Sequence, residues 1–174
     1  MTVTVGIQGG VLDMNDEQIN NPQIVYSEKT LDHFSNPRNV GVVKNYNGRG
    51  KIGEVDCGDV CEITVLIKNE LIKDIKFRVY GCAGAVATSS AVTELTKGKL
   101  CNEALKLTDD DVVEFLCGLP EQKKHCSLLG IRAIKQAIYD YRLYKQLLES
   151  GQVTNRDEYE IIREELFQQF TNEF

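Results

Sequence analysis

Apolar and polar side chains alternate through the middle of the chain. Ile63, Val65 and Ile67 alternate with Glu62, Thr64 and Lys68, and past Asn69-Glu70 the alternation resumes at Ile75, Phe77 and Val79. A period of two marks strands, and two strands joined by so short a connection must pair antiparallel as a hairpin. Residues Ile52–Val55 can supply a third strand.

Helical signals flank the hairpin. Ser27 is a good N-cap for a helix through Phe34, which Asn36-Pro37 stops, and residues 38–51, rich in Gly and Asn, read as loop. After Tyr80 the chain breaks at Gly81-Cys82-Ala83-Gly84 and enters Ala85–Lys97, of helical composition, with Gly98 suited to the position just past a helix end. Thr108 followed by Asp109, Asp110 and Asp111 predicts the capped start of a short helix to about Cys117, ended by Gly118-Leu119-Pro120. From about His125 to Leu148, the residues Leu128, Ile131, Ile134, Ile138 and Tyr141 recur at steps of three and four, the mark of a long amphipathic helix closed by Ser150-Gly151. A last helix from Asn155 carries Tyr159, Ile162, Leu166 and Phe170 on one stripe, to be packed on the body or on a partner. The expected organisation is a flexible N-terminal extension (1–25), one body (26–150) and an acidic C-terminal helix (151–174).

The chain has 174 residues with a net charge of −6. The charge is uneven: residues 1–25 contribute −3 and residues 151–174 contribute −4, leaving the body at +1. A body so close to neutral has no basic stripe for a phosphate backbone, which argues against a nucleic-acid partner. No apolar run approaches the roughly 18 residues of a membrane span, and the N-terminus lacks the basic start and apolar stretch of a secretory signal. The expected location is the cytoplasm. In its reducing medium the six cysteines are available for chemistry, since a chain of this size needs no disulfide staples.

Three of them stand at breaks between elements: Cys57 in Asp56-Cys57-Gly58-Asp59, Cys82 just after the hairpin, and Cys126 at the start of the long helix. The start of a hairpin's first strand lies beside the end of its second, so Cys57 and Cys82 belong to the same end. Asp59, two residues after Cys57, shares a face with it on an extended segment, and His125 directly precedes Cys126. Cys57, Asp59, Cys82, His125 and Cys126 together offer soft sulfur, borderline nitrogen and hard oxygen. Soft thiolates select zinc or iron–sulfur clusters over magnesium or calcium. A shell mixing three thiolates with an oxygen should hold an iron–sulfur cluster less tightly than four thiolates, which suits delivery.

These residues also carry a resemblance. The segments 26–41 (YSEKTLDHFSNPRNVG), 57–59 (CGD), 77–98 (FRVYGCAGAVATSSAVTELTKG) and 125–126 (HC), in this order and at these separations, closely resemble the IscU/NifU-type iron–sulfur cluster assembly scaffolds over about residues 26–147. The resemblance implies an α+β fold, a three-stranded antiparallel sheet with helices packed around it, to which this chain adds its C-terminal helix. It implies a [2Fe–2S] cluster built from iron on Cys57, Cys82 and Cys126, with Asp59 or His125 as the remaining ligand. It also implies a cysteine desulfurase supplying sulfur as a persulfide, with Cys126 as acceptor, and apoproteins that receive the cluster. Lys123 matches a family lysine that pairs with the aspartate when no cluster is bound. Where chaperone-served scaffolds carry LPPVK, this chain has Leu119-Pro120-Glu121-Gln122-Lys123, which speaks against release by an Hsp70-type chaperone. The sequence leaves open a homodimer and a [4Fe–4S] form on it.

Cys61 shares a face with Cys57 and Asp59 on an extended strand and is a lesser candidate ligand. Cys101 and Cys117 read as ordinary buried residues, and His33 as structural or partner-facing. Tyr139, Tyr141 and Tyr144 read as helix packing, and Asp109 to Asp111 as a cap. The chain reads as a binding protein rather than an enzyme. The alternatives are a zinc-containing sulfurtransferase relaying persulfide through Cys126 and, more remotely, a Cys–His hydrolase. Neighbouring residues at a helix start point apart, which is poor geometry for a base that must reach the thiol.

Overall fold

A computed structural model describes residues 6–7, 10–11, 26–53, 59–120, 123 and 125–171, without the side chains of 6–11, 125–127 and 164–171. Strands β1 (Gly6–Ile7) and β2 (Gly10–Val11) pair antiparallel; the rest of the expected N-terminal extension lies outside the described residues. The main sheet is antiparallel in the order β3 (Gly48–Gly53), β4 (Val60–Lys68), β5 (Leu71–Tyr80). The expected hairpin is β4–β5, with Val60 opposite Tyr80, Ile63 opposite Phe77 and Val65 opposite Ile75. Its two-residue turn holds Asn69 and Glu70 at φ 51° and 59°, the left-handed pair whose twist matches that of the strands.

Strand β3 corrects the reading of residues 38–51 as loop, because it begins at Gly48. Glycine obscured it: β3 lies against the long helix α5 (His125–Glu149) so closely that side chains are excluded. A Cβ at Gly50 would stand 2.0 Å from the carbonyl oxygen of Ala133, and one at Gly48 2.3 Å from that of Ala137. Residues chosen for backbone contact carry no alternation to read.

The hairpin's alternation also proves less exposed than its pattern. Cys61, Ile63, Val65 and Ile67 of β4 face the core, yet Glu62 and Thr64 on the other face are buried too. Residues 39–47 cover them. Phe77 donates its amide to Asn39 O, Gly41 donates to Phe77 O, and Val43 donates to Thr64 Oγ1 at 2.9 Å before the chain turns into β3. Glu62 lies between Arg49, at 2.6 Å, and Arg78. Burial opposes its charge, but hydrogen bonds from Arg78 and Arg49 outweigh that and hold the carboxyl below its usual range.

The core helix is α2 (Ala83–Thr96), following α1 (Glu28–Ser35). Most of α2 is buried, and its hydroxyls return to its own carbonyls, Thr93 to Ser90 O and Thr96 to Val92 O, each at 2.7 Å. Ser90 faces α1: its Oγ accepts the Arg38 amide and lies 2.9 Å from His33 Nδ1. His33 is buried, and burial together with Arg38 pulls its pKa below the usual range. It is structural, one of the two roles expected. Ser27 caps α1 as expected.

The short helix α3 (Cys101–Ala104) was not legible in the pattern. Helix α4 (Asp109–Phe115) has the expected cap, with Thr108 and Asp111 exchanging hydrogen bonds. The expectation for Cys117 is overturned: it is exposed, because it takes the left-handed position just past α4 (φ 57°), which turns it out of the core. Cys101 is fully buried. Of the three tyrosines, Tyr141 is buried and Tyr144 packs on Tyr159 with ring centroids 5.1 Å apart. Tyr139 is 60% exposed and does not pack as expected. Helix α6 (Arg156–Thr171) rests on the body through Tyr159.

Gly50→Ala should cost about 1–3 kcal/mol of stability by forcing β3 and α5 apart. Gly53→Ala, whose Cβ would meet nothing nearer than 3.6 Å, should stay within about 0.5 kcal/mol of wild type. Urea unfolding midpoints of the two variants check the contrast.

Candidate metal centre

The site begins where the hairpin ends. Val60 opposite Tyr80 is the last pair of the β4–β5 ladder, so the residues just outside it, Asp59 on one side and Gly81-Cys82 on the other, are neighbours. Asp59 is buried at 6% exposure, and its carboxyl lies against Gly81. A Cβ at Gly81 would come within 2.7 Å of Asp59 Cγ and 3.1 Å of Ala85 Cβ. Glycine is required there for the carboxylate to sit beside the next residue, Cys82.

Cys82 is the N-cap of α2, half-buried with extended backbone, and its carbonyl accepts the Val86 amide at 3.1 Å. Its side chain does not cap the helix, and no acid occupies the first turn of α2. The positive end of the helix dipole thus lies at Cys82 with no acid to offset it.

The third segment arrives with α5. Gly48 lies under Ala137 and Gly50 under Ala133, so α5 runs toward its N-terminus in the direction in which β3 runs from Gly48 to Gly53. The two turns from Ala133 back to His125 rise about 12 Å, against about 10 Å for three residues of strand. The start of α5 therefore reaches the same end of the sheet as Gly53, Asp59 and Cys82. Gly130 keeps α5 close to α2, since a Cβ there would lie 3.2 Å from Val92 and 3.4 Å from the Ser89 backbone.

Of the five predicted ligands, Asp59 and Cys82 stand together. The backbone of His125 and Cys126 lies in the first turn of α5, with side chains outside the description, and Cys57 lies outside the described residues. Lys123 is half-buried, its amide donating to Pro120 O at 2.7 Å. Among the described residues no three His, Cys, Asp or Glu side chains are placed to share a metal ion.

Cys61 sits in the core beneath α2, its Sγ 3.4 Å from Ser89 Oγ, and burial pushes its thiol up to about 11. Cys101 is also pushed up to about 11, by burial and by Glu70. Both are held as neutral thiols at physiological pH. The contribution of Gly81 could have been anticipated only from the Gly-Cys pair at a strand end; nothing in the sequence ties it to Asp59.

Residues 25–147 match the family model described as NifU-like N terminal domain. A protein of Archaeoglobus fulgidus named iron–sulfur cluster assembly scaffold protein IscU 1 is 52% identical over 117 residues, covering 67% of this chain and 76% of its own. The Escherichia coli protein named iron–sulfur cluster assembly scaffold protein IscU is 46% identical over 123 residues, 68% of this chain and 95% of its own. Among solved structures, the N-terminal part of a nitrogen-fixing NifU-like protein from Brucella abortus superposes with a TM-score of 0.58 at 15% identity, over 67% of this chain and 93% of its own. That likeness concerns the fold alone, and it agrees with the α+β architecture expected.

In the folded chain at pH 8, Cys117 and Cys82 should be alkylated by iodoacetamide well before Cys61 and Cys101. The latter two should react at a comparable rate only after unfolding. Peptide mass mapping over time checks the order, and early labelling of Cys61 would contradict its placement.

Proposed function

The chain belongs to the family of NifU-like N-terminal domains, and from that premise we propose that it is an iron–sulfur cluster assembly scaffold that builds a [2Fe–2S] cluster and hands it to apoproteins. The observation that carries this reading is the seating of the Asp59 carboxylate against Gly81, directly beside Cys82 and at the end of the sheet reached by the start of α5. A metal held there would meet a thiolate and a carboxylate from two adjacent strand ends, with the His125-Cys126 pair on the next element.

The cluster is cargo. In this role Cys57, Cys82 and Cys126 supply thiolates, and Asp59 or His125 the remaining ligand. Cys126 receives sulfur as a persulfide from a cysteine desulfurase. The carboxylate oxygen is the hard donor among soft ones and the natural point at which an acceptor's thiolate displaces the scaffold. Lys123, which matches a family lysine, would pair with Asp59 when no cluster is bound. The work is to hold the cluster while it is assembled and to pass it on intact, so the chain is assigned no catalytic turnover of its own. Among the described residues no helix is long and apolar enough to cross a membrane; the proposed location is the cytoplasm, where desulfurase and acceptors would be met.

Anaerobic incubation with ferrous iron, cysteine, a thiol reductant that supplies the remaining electrons for persulfide sulfur to become sulfide, and a desulfurase should produce a visible absorption spectrum with two irons per site, and Cys57→Ala should abolish it. Colourless protein holding one tight zinc would instead favour a persulfide relay through Cys126. Asp59→Ala should slow passage of the cluster to an acceptor apoprotein, followed by the acceptor's own spectrum; an unchanged rate would remove Asp59 from the release step.

A further inference from the structure

Helix α6 begins after the family match has ended at residue 147, yet it is tied into the body by a buried ionic knot. At its centre is the Asp140 carboxylate of α5, 6% exposed. Oδ2 accepts the Arg49 amide of β3 at 2.8 Å and Arg156 Nη2 at 2.7 Å; Oδ1 accepts Arg163 Nε at 2.6 Å and the Tyr159 hydroxyl at 2.7 Å. The two arginines also reach β3 and the residue before it. Arg156 donates to Asn47 O at 3.0 Å and Arg163 to Arg49 O at 3.5 Å. The Arg156 guanidinium lies among the rings of Tyr46, Tyr144 and Tyr159, 4.6 to 5.2 Å from their centroids.

The elements gripped are α5 and β3. The first opens at His125-Cys126, and the second leads from Gly53 into the segment bearing Cys57, so the two deliver three of the five proposed ligands. Apart from this knot, β3 and α5 are held by close contact at Gly48 and Gly50, where no side chain interdigitates to resist sliding, and by the Gln136 side chain, which accepts the Lys51 amide at 2.7 Å. With α6 undocked, Asp140 would lose three of its four donors, and the links from Arg156 to the Asn47 carbonyl and from Arg163 to the Arg49 carbonyl would go with them. The α5–β3 contact would then keep only its direct bonds, Asp140 on the Arg49 amide and Gln136 on the Lys51 amide.

We propose that α6 is an intramolecular clamp in which Asp140, Tyr159, Arg156 and Arg163 act as positioning residues, locking α5 to β3 and thereby setting how firmly the site holds its cluster. The inference rests on the scaffold reading for its cargo, while the clamp itself is measurable without any cluster.

The full-length triple variant Asp140→Asn, Arg156→Met, Arg163→Met exchanges the knot for neutral groups. Hydrogen exchange in the cluster-free protein should accelerate about tenfold or more for amides of Gly48–Gly53 and Leu129–Asp140, with the β4–β5 ladder and α2 unchanged. Loss of a reconstituted cluster to an iron chelator should be several-fold faster. Unchanged exchange in β3 and α5, or a uniform rise throughout, overturns the clamp. A local rise with an unchanged cluster lifetime overturns its link to the site. If the wild-type chain takes up no cluster, the scaffold reading fails, and the exchange result still decides whether α6 clamps α5 to β3. Should the triple variant not fold, Tyr159→Phe removes one donor to Asp140 and should give a smaller rise in the same segments; no such rise overturns the clamp.

Discussion

Helix α5 lies on β3 with no side chains between the two backbones at Gly48 and Gly50, and much of the molecule follows from that approach. It sets the direction and distance of α5 along the sheet, and with them the place where the first turn of α5 arrives. It requires small residues on both partners, which is why Ala133 and Ala137 face the glycines. The contact gains dispersion through close packing but has no interlocking side chains to fix its register. That task falls to polar groups at its border: Asp140 on the Arg49 amide and Gln136 on the Lys51 amide at 2.7 Å.

The charges around buried Glu62 and Asp140 are arranged as a connected series rather than as isolated pairs. Arg78 and Arg49 share Glu62 across the outer sheet face, Arg49 also approaches Glu160 at 3.8 Å, and Glu160 shares Arg156 with Asp140. Desolvating so many groups is costly. Each carboxylate here is compensated by two or more donors, the condition under which buried ion pairs persist. The series also gives one mechanical unit from β5 through β4 and β3 to α6 and α5.

The site lies at the opposite character of environment: a glycine-lined break where the ladder stops, a helix N-terminus without acids, and a buried carboxylate resting on a Cα. A group held there is bound by side chains from separate elements, so its retention depends on how well those elements keep their mutual positions. This is the sense in which packing remote from the ligands bears on their work.

The amino-acid order by itself determined the hairpin, its tight turn, the caps at Ser27 and Thr108, the long helix, and the residues proposed as cluster ligands. These are local properties, carried by side-chain period, by turn chemistry and by motif. Tertiary structure alone decided the remainder. The start of β3 at Gly48 was unreadable because its identity lies in what its glycines lack, and the burial of Glu62 and Thr64 depends on a distant segment folding over them. Cys117 is exposed through one left-handed residue, while Cys61, of the same chemistry, is held neutral by the helix above it. Asp140 is an unremarked acid on a helix until Arg156 and Arg163 fold back upon it. In each case the outcome turns on a partner far away in sequence, and only the packed chain specifies which one it meets.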